Sequence, residues 1–196
     1  LFRKTGLKGY DDEGNPVMAS NWKEINYNLY SSEDRYKWIE YHKWQFKGSI
    51  YTKLVGDLVL MARVQFGYLG YYNRNWGYSP FEGFRVGGDG MSGYDTYGSD
   101  IISLRGYENY SLTPTSTSQY NTSGNYYSGN VYDKFTVELR YPVVLQPQST
   151  IYVLGFLEAG NCWADIRNFN PFQVKRSAGV GVRVFLPMIG LLGVDW

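Results

Sequence analysis

Apolar and polar residues alternate with a period of two along six stretches of this chain. The clearest runs from Lys134 to Pro142. Phe135, Val137, Leu139 and Tyr141 fall on one side, and Lys134, Thr136, Glu138 and Arg140 on the other. Such alternation marks a strand with two unlike faces. From Thr150 to Asn161, Ile151, Val153 and Leu157 oppose Tyr152, Phe156 and Glu158. From Lys175 to Phe185, Ala178, Val180, Val182 and Val184 oppose Lys175, Ser177, Gly179, Gly181 and Arg183, and then Leu192, Val194 and Trp196 alternate with Gly193 and Asp195. Earlier, Asp57 to Leu69 sets Leu58, Leu60, Ala62, Val64, Phe66 and Tyr68 against Arg63, Gln65 and Gly67. Trp38 to Tyr51 sets Trp44, Phe46 and Ile50 against Lys43, Gln45, Lys47 and Ser49. The fold class expected is all-β, with about six antiparallel strands.

A soluble sandwich would show the same alternation, with its apolar faces packed together. Three features favour a transmembrane β-barrel instead. The polar faces carry Gly67, Gly160, Gly179, Gly181 and Gly193, where a water-exposed strand favours β-branched residues and where glycine suits a wall approached by another backbone. The apolar faces end in aromatics (Trp38, Trp44, Tyr68, Tyr141, Trp196), like the girdles of outer-membrane barrels. Connections alternate long and short: residues 3–36, a tight turn near Lys53 to Gly56, residues 70–130, a turn at 146–149, a middling loop near Trp163 to Phe172, and a turn at 186–190. Long external loops and short periplasmic turns are the barrel pattern.

Composition agrees. No apolar run approaches the length of a membrane helix, and a mean hydropathy of −0.39 is compatible with strands that touch lipid only at alternate residues. A net charge of +1 leaves no nucleic-acid footprint. The single Cys162 and single His42 exclude a disulfide framework and leave little for a catalytic triad, so an enzyme is not expected. Gly88-Asp89-Gly90-Met91-Ser92-Gly93 matches G-x-G-x-x-G, but no helix pattern follows it, so dinucleotide binding is set aside. Asp89, Asp95 and Asp100 could hold calcium, but turn chemistry explains them as well, and neither metal nor cofactor is expected.

The stretch from about 70 to 130 shows no helical or strand periodicity. An unstructured loop of that length is unusual in a compact domain. It carries Gly87-Gly88-Asp89-Gly90 and then Leu104-Arg105-Gly106-Tyr107, many aromatics and few charge runs. The expectation is an ordered plug that enters a barrel lumen with Arg105 at its tip. Parity places Glu138 and Glu158 on the lumen side of neighbouring strands, and a guanidinium's rigid fork of donors suits carboxylates.

Leu104-Arg105-Gly106-Tyr107 resembles the (V/I/L)RG(F/Y) loop signature of BamA-type outer-membrane assembly proteins and their two-partner-secretion relatives. Phe156-Leu157-Glu158-Ala159-Gly160 resembles their F-x-(D/E)-x-G strand, and Val137 to Pro142 their E-x-x-x-P strand. Arg176-Ser177-Ala178-Gly179-Val180-Gly181 resembles R-x-SAG-x-G. Order and spacing agree from about Glu40 to Trp196. Pro80-Phe81-Glu82-Gly83-Phe84 and the Gly87 to Gly90 cluster look most like the Bacteroidetes lineage.

The resemblance implies a sixteen-stranded barrel preceded by periplasmic POTRA domains, in the outer membrane of a Gram-negative bacterium. Its function would be folding and insertion of other outer-membrane proteins, with nascent clients, accessory lipoproteins and lipid as partners. A secretion pore of the same superfamily and a diffusion porin are the alternatives. It implies that Arg105 reaches Glu138 and Glu158 down the lumen, with Phe156, Gly160, Ser177 and Gly179 as strand-motif positions. Six strands cannot close a barrel, since the smallest have eight. With neither an initiator Met nor a signal peptide at Leu1, the chain is expected to be the C-terminal part of the barrel, without POTRA domains, first strands or last strand.

Overall fold

The computed structural model describes residues 6–26, 29–30, 40–72, 74, 77–90, 98–116, 126–127, 129–146, 149–188 and 190–196. Trp38, Met91 to Gly93 and Asp95 lie outside this set. Two compact units separate, one of residues 1–42 and 71–79, the other of 43–70 and 80–196.

In the first unit, the stretch expected to be a plain external loop contains a short hairpin of β1 (Leu7–Tyr10) and β2 (Pro16–Met18), followed by a 3-10 turn at Trp22–Glu24. The Asp11 carboxylate shapes the hairpin tip by accepting from the Glu13 and Asn15 amides at 3.1 and 2.7 Å. The Asn15 amide holds this carboxyl below its ordinary pKa. Ala19 and Ile25 are buried against this small unit. Period-two reasoning misses it because two strands of three or four residues contain too few repeats to register.

The second unit is built on β3 (Tyr41–Lys53), β4 (Val59–Tyr71), β9 (Val131–Gln146), β10 (Ser149–Trp163), β11 (Lys175–Leu186) and β12 (Gly190–Asp195). They form one sheet in the order β12-β11-β10-β9-β4-β3. These are the six strands expected from the alternation. β4 and β9 are antiparallel neighbours, with Val64 opposite Phe135 and Arg63 opposite Thr136. The whole excursion from 72 to 130 is therefore an insertion between two adjacent strands. It contains a parallel pair, β5 (Glu82–Val86) with β6 (Gly98–Ile102), and a two-residue ladder of β7 (Thr115–Ser116) with β8 (Tyr126–Tyr127). The absence of strand structure expected there is corrected to that extent.

Register fixes the two faces. Met61, Glu138, Phe156 and Gly179 are opposed in successive pairs across β4, β9, β10 and β11, so they share one face. That face carries Glu138, Glu158, Lys134 and Thr136, all buried. The other face is apolar and bare: Phe46, Val137, Leu157, Val180 and Val194 are between 40% and 62% exposed. The sheet is inverted relative to a soluble one, since the charges at its centre are covered while most aliphatic residues of its other face are open. A continuous exposed apolar face of this kind is a membrane or partner surface.

If lipid covers that face, Leu157→Arg, near the middle of β10, should cost roughly 2–4 kcal/mol of folding free energy in bilayers. Denaturant titration of the full-length protein in phospholipid vesicles measures this. A cost near zero would rule out lipid contact at Leu157.

Candidate functional site

The Arg105 turn is held from above by backbone. Gly87 N–H donates to Ile102 O, Gly88 N–H to Tyr107 O, and Leu104 N–H to Gly88 O, each at 3.0 Å. The Gly-Gly-Asp-Gly cluster is thus the cradle of the Leu104 to Tyr107 turn. Gly88 sits at φ +84°, and a Cβ there would strike the Asn109 side chain. Gly106 sits at φ +81° with Ser177 directly beneath. Both positions need the left-handed region that glycine enters freely.

From the wall side, the carboxylates converge by register. Glu138 opposes Phe156, while Glu158 opposes Thr136 one same-face step along. Diagonal neighbours on one face lie roughly 7–8 Å apart between backbones, within the span of one guanidinium set between them. Arg105 Nη2 donates to Glu138 Oε1 at 2.6 Å and to Glu158 Oε1 at 2.9 Å. Its backbone N–H donates to Glu158 Oε2 at 3.0 Å. One nitrogen of the guanidinium thus bridges both glutamates. The Arg105 guanidinium also lies 3.7 Å from the Phe156 ring centroid, a cation–π contact on a largely desolvated ring.

Each strand-motif position has a physical task. Phe156 is the floor under Arg105. A Cβ on Gly160 would press on Asp133 O and meet the Leu104 side chain, so its absence lets the loop lie flat on β10. A Cβ on Gly179 would collide with Trp196 O and the Phe156 ring. Ser177 carries Gly106. Tyr107 reaches over β11, its hydroxyl donating to Arg176 O at 2.8 Å. Leu104 is fully buried.

Lys134, Arg140, Asp195 and Arg183 complete the cluster. Lys134 Nζ is 3.0 Å from Glu158 Oε1 and donates to Ser103 O. Arg140 donates through Nε and Nη2 to Glu138 Oε2 at 2.9 and 2.6 Å. Asp195 stands 3.6 Å from Arg105 Nη1 and is gripped at both oxygens by Arg183. Thr136 Oγ1 donates to Glu158 at 3.2 Å. Each of these polar residues is legible as inward-facing from parity; only the geometry joins them to Arg105. Burial acts to lower the Arg105 pKa, and the hydrogen bonds and charges of Glu158 and Glu138 outweigh it, holding it above the ordinary arginine value. The cluster anchors the Arg105 turn to β9 and β10.

The remaining candidates are engaged elsewhere. Asp100 pairs with Lys43, and Asp95 lies outside the described residues. Among the described residues no three His, Cys, Asp or Glu are grouped to hold a metal ion. Cys162 is buried beside Phe84 O, and His42 packs edge-on against Tyr72.

A family-wide sequence profile, described as the Omp85 superfamily domain, matches residues 9–196. No individual curated protein matches the chain.

Removing the guanidinium takes one of two cations from each of two buried glutamates, which keep Arg140 and Lys134, so the cost stays below the ~3–5 kcal/mol of a fully unpaired buried charge. Arg105→Ala should therefore expose the loop to protease while β9 and β10 stay protected. Arg105→Lys should restore only part of that protection, because an ammonium lacks the planar guanidinium that lies against the Phe156 ring while donating to both carboxylates. Gly88→Ala keeps every charge yet should loosen the same turn by about 1–3 kcal/mol of backbone strain. Limited proteolysis of each variant reads these effects. Wild-type resistance in Arg105→Ala would remove the clasp from the account, and in Gly88→Ala it would remove the cradle.

Proposed function

Since the chain belongs to the Omp85 superfamily, we propose that it is barrel wall and plug of a BamA-type factor that folds and inserts other outer-membrane proteins. The carrying observation is the Arg105–Glu138–Glu158 clasp, which ties an inserted loop to β9 and β10 on the face opposite the bare aliphatic one. No covalent bond is made or broken in this reading. The clasp holds the loop and the barrel wall together in an assembly-competent state. In the proposal the protein resides in the outer membrane of a Gram-negative bacterium. Its partners are nascent barrel proteins, accessory lipoproteins and its own POTRA domains, with the Bacteroidetes-like Pro80 to Gly90 stretch pointing to that lineage.

A secretion pore of the same superfamily would share this clasp, so function and not geometry has to separate the two. Several strands of one wall are covered by the plug: Phe84 lies against the inner side of β4 at Gly67, Arg105 on β9 and β10, and Tyr107 on β11. That coverage argues against an open diffusion channel.

Arg105→Ala in the full-length protein should slow insertion of client barrels several-fold in a reconstituted vesicle assay, while the variant itself still inserts. Planar-bilayer recording of the wild type should give small, irregular currents. Large steady conductance would instead indicate a porin, and export of one dedicated partner without client insertion would indicate a secretion pore.

A further inference from the structure

Away from Arg105, the plug meets the wall a second time. The parallel register of β5 and β6 sets Glu82 opposite Gly98 and Phe84 opposite Asp100. Glu82 and Asp100 thus belong to one face of that pair. Lys43 of β3 comes up between them. Its Nζ lies 2.8 Å from Glu82 Oε2 and 2.8 Å from Asp100 Oδ2, and donates to Gly98 O at 3.1 Å. It also stands 5.2 Å from the centroid of the buried Phe84 ring. Gln45, one inward position further along β3, donates to the same Asp100 carboxylate. Lys43 and Glu82 side chains are only 18% and 19% exposed, so that pair is a partly desolvated, charge-assisted hydrogen bond, while the Asp100 side chain is 43% exposed.

We infer that Lys43 is a second positioning residue of the plug, holding the β5–β6 pair to the β3 wall independently of Arg105. The inference rests on the loop being the lumen plug proposed above. Two points make the holds separate. Arg105 acts on β9 and β10, which lie two and three strands from β3 in the sheet order. At ~4.8 Å per strand that is roughly 10–15 Å, beyond the ~7–10 Å within which substitutions usually couple. The Leu104 to Tyr107 turn also keeps its own backbone hydrogen bonds to Gly88, in which Lys43 has no part. The plug is pinned at Lys43 as well as at Arg105, so one end can lift while the other stays seated.

The test is amide hydrogen exchange of the full-length protein in lipid nanodiscs, comparing wild type with Lys43→Met, Lys43→Arg and the exchanged pair Lys43→Glu with Glu82→Lys. Lys43→Met should speed exchange across β5 and β6 by roughly tenfold, with Leu104 to Tyr107, β9 and β10 unchanged. Arginine at 43, and the exchanged pair, which keeps one cation between two carboxylates, should each return β5–β6 to near wild-type protection. Unchanged β5–β6 exchange in Lys43→Met would overturn the inference. So would loosening of the Arg105 turn to the same degree, or an exchanged pair as loose as the methionine variant. The readout is exchange and not assembly, so the clasp is tested even in a protein that inserts no clients.

Discussion

Everything in the second unit answers to one constraint: an arginine buried away from bulk water must be met by carboxylates already in position. An uncompensated buried charge costs several kcal/mol, so Arg105 can sit where it does only if β9 and β10 are in register and the loop turns at the right residue. The register brings Glu138 and Glu158 within one guanidinium's span. The turn is set by Gly106 at positive φ and by the Gly87–Gly88 cradle. A slip of one residue in the β9–β10 pairing would put one glutamate on the opposite face and strand the cation. The clasp therefore reports on the wall as much as it fastens the loop.

The network around it distributes charge so that each of its three carboxylates faces two cations. Glu138 is shared by Arg105 and Arg140, Glu158 by Arg105 and Lys134, and Asp195 by Arg183 and, more distantly, Arg105. Phe156 closes the site from below. Such coupled groups rigidify when complete and fail together when one is removed.

Much of this was legible before any coordinates. Alternation assigns each strand's faces because an apolar outer side and a polar inner side differ at every residue, and the resemblance tied Arg105 to two inward glutamates. What sequence missed follows a pattern. The cradle escaped because its hydrogen bonds join Gly87 and Gly88 to residues fifteen or more positions away, with no periodicity to reveal them. β5 and β6 escaped because they are short, glycine-containing and parallel. At Asp133 the alternation breaks, so a period-two reading starts β9 at Lys134, yet the ladder runs on to Val131. There the carboxylate is buried and accepts from the Asn161 amide, while Phe169 packs edge-on against Phe66 and Trp163 on the same face. Local loop packing overrides the pattern that governs the rest of the strand.

The inversion of the sheet explains why ionic holds are used at all. Alternation gives each strand one set of apolar positions, and here that set is committed to the outward face. The inward face is left with glycines, charges, a few aromatics and scattered aliphatic residues such as Met61, Leu69 and Leu154, so a loop lying on it is fixed by directional contacts as well as by apolar burial. Glycines let the backbone approach closely, and the remaining directional interactions are charged and hydrogen-bonded ones. Those interactions specify position sharply, because a donor displaced by an ångström or two loses its bond, whereas an apolar contact tolerates sliding. A lipid-facing exterior and a plug pinned by arginine and lysine are thus two consequences of the same period-two pattern.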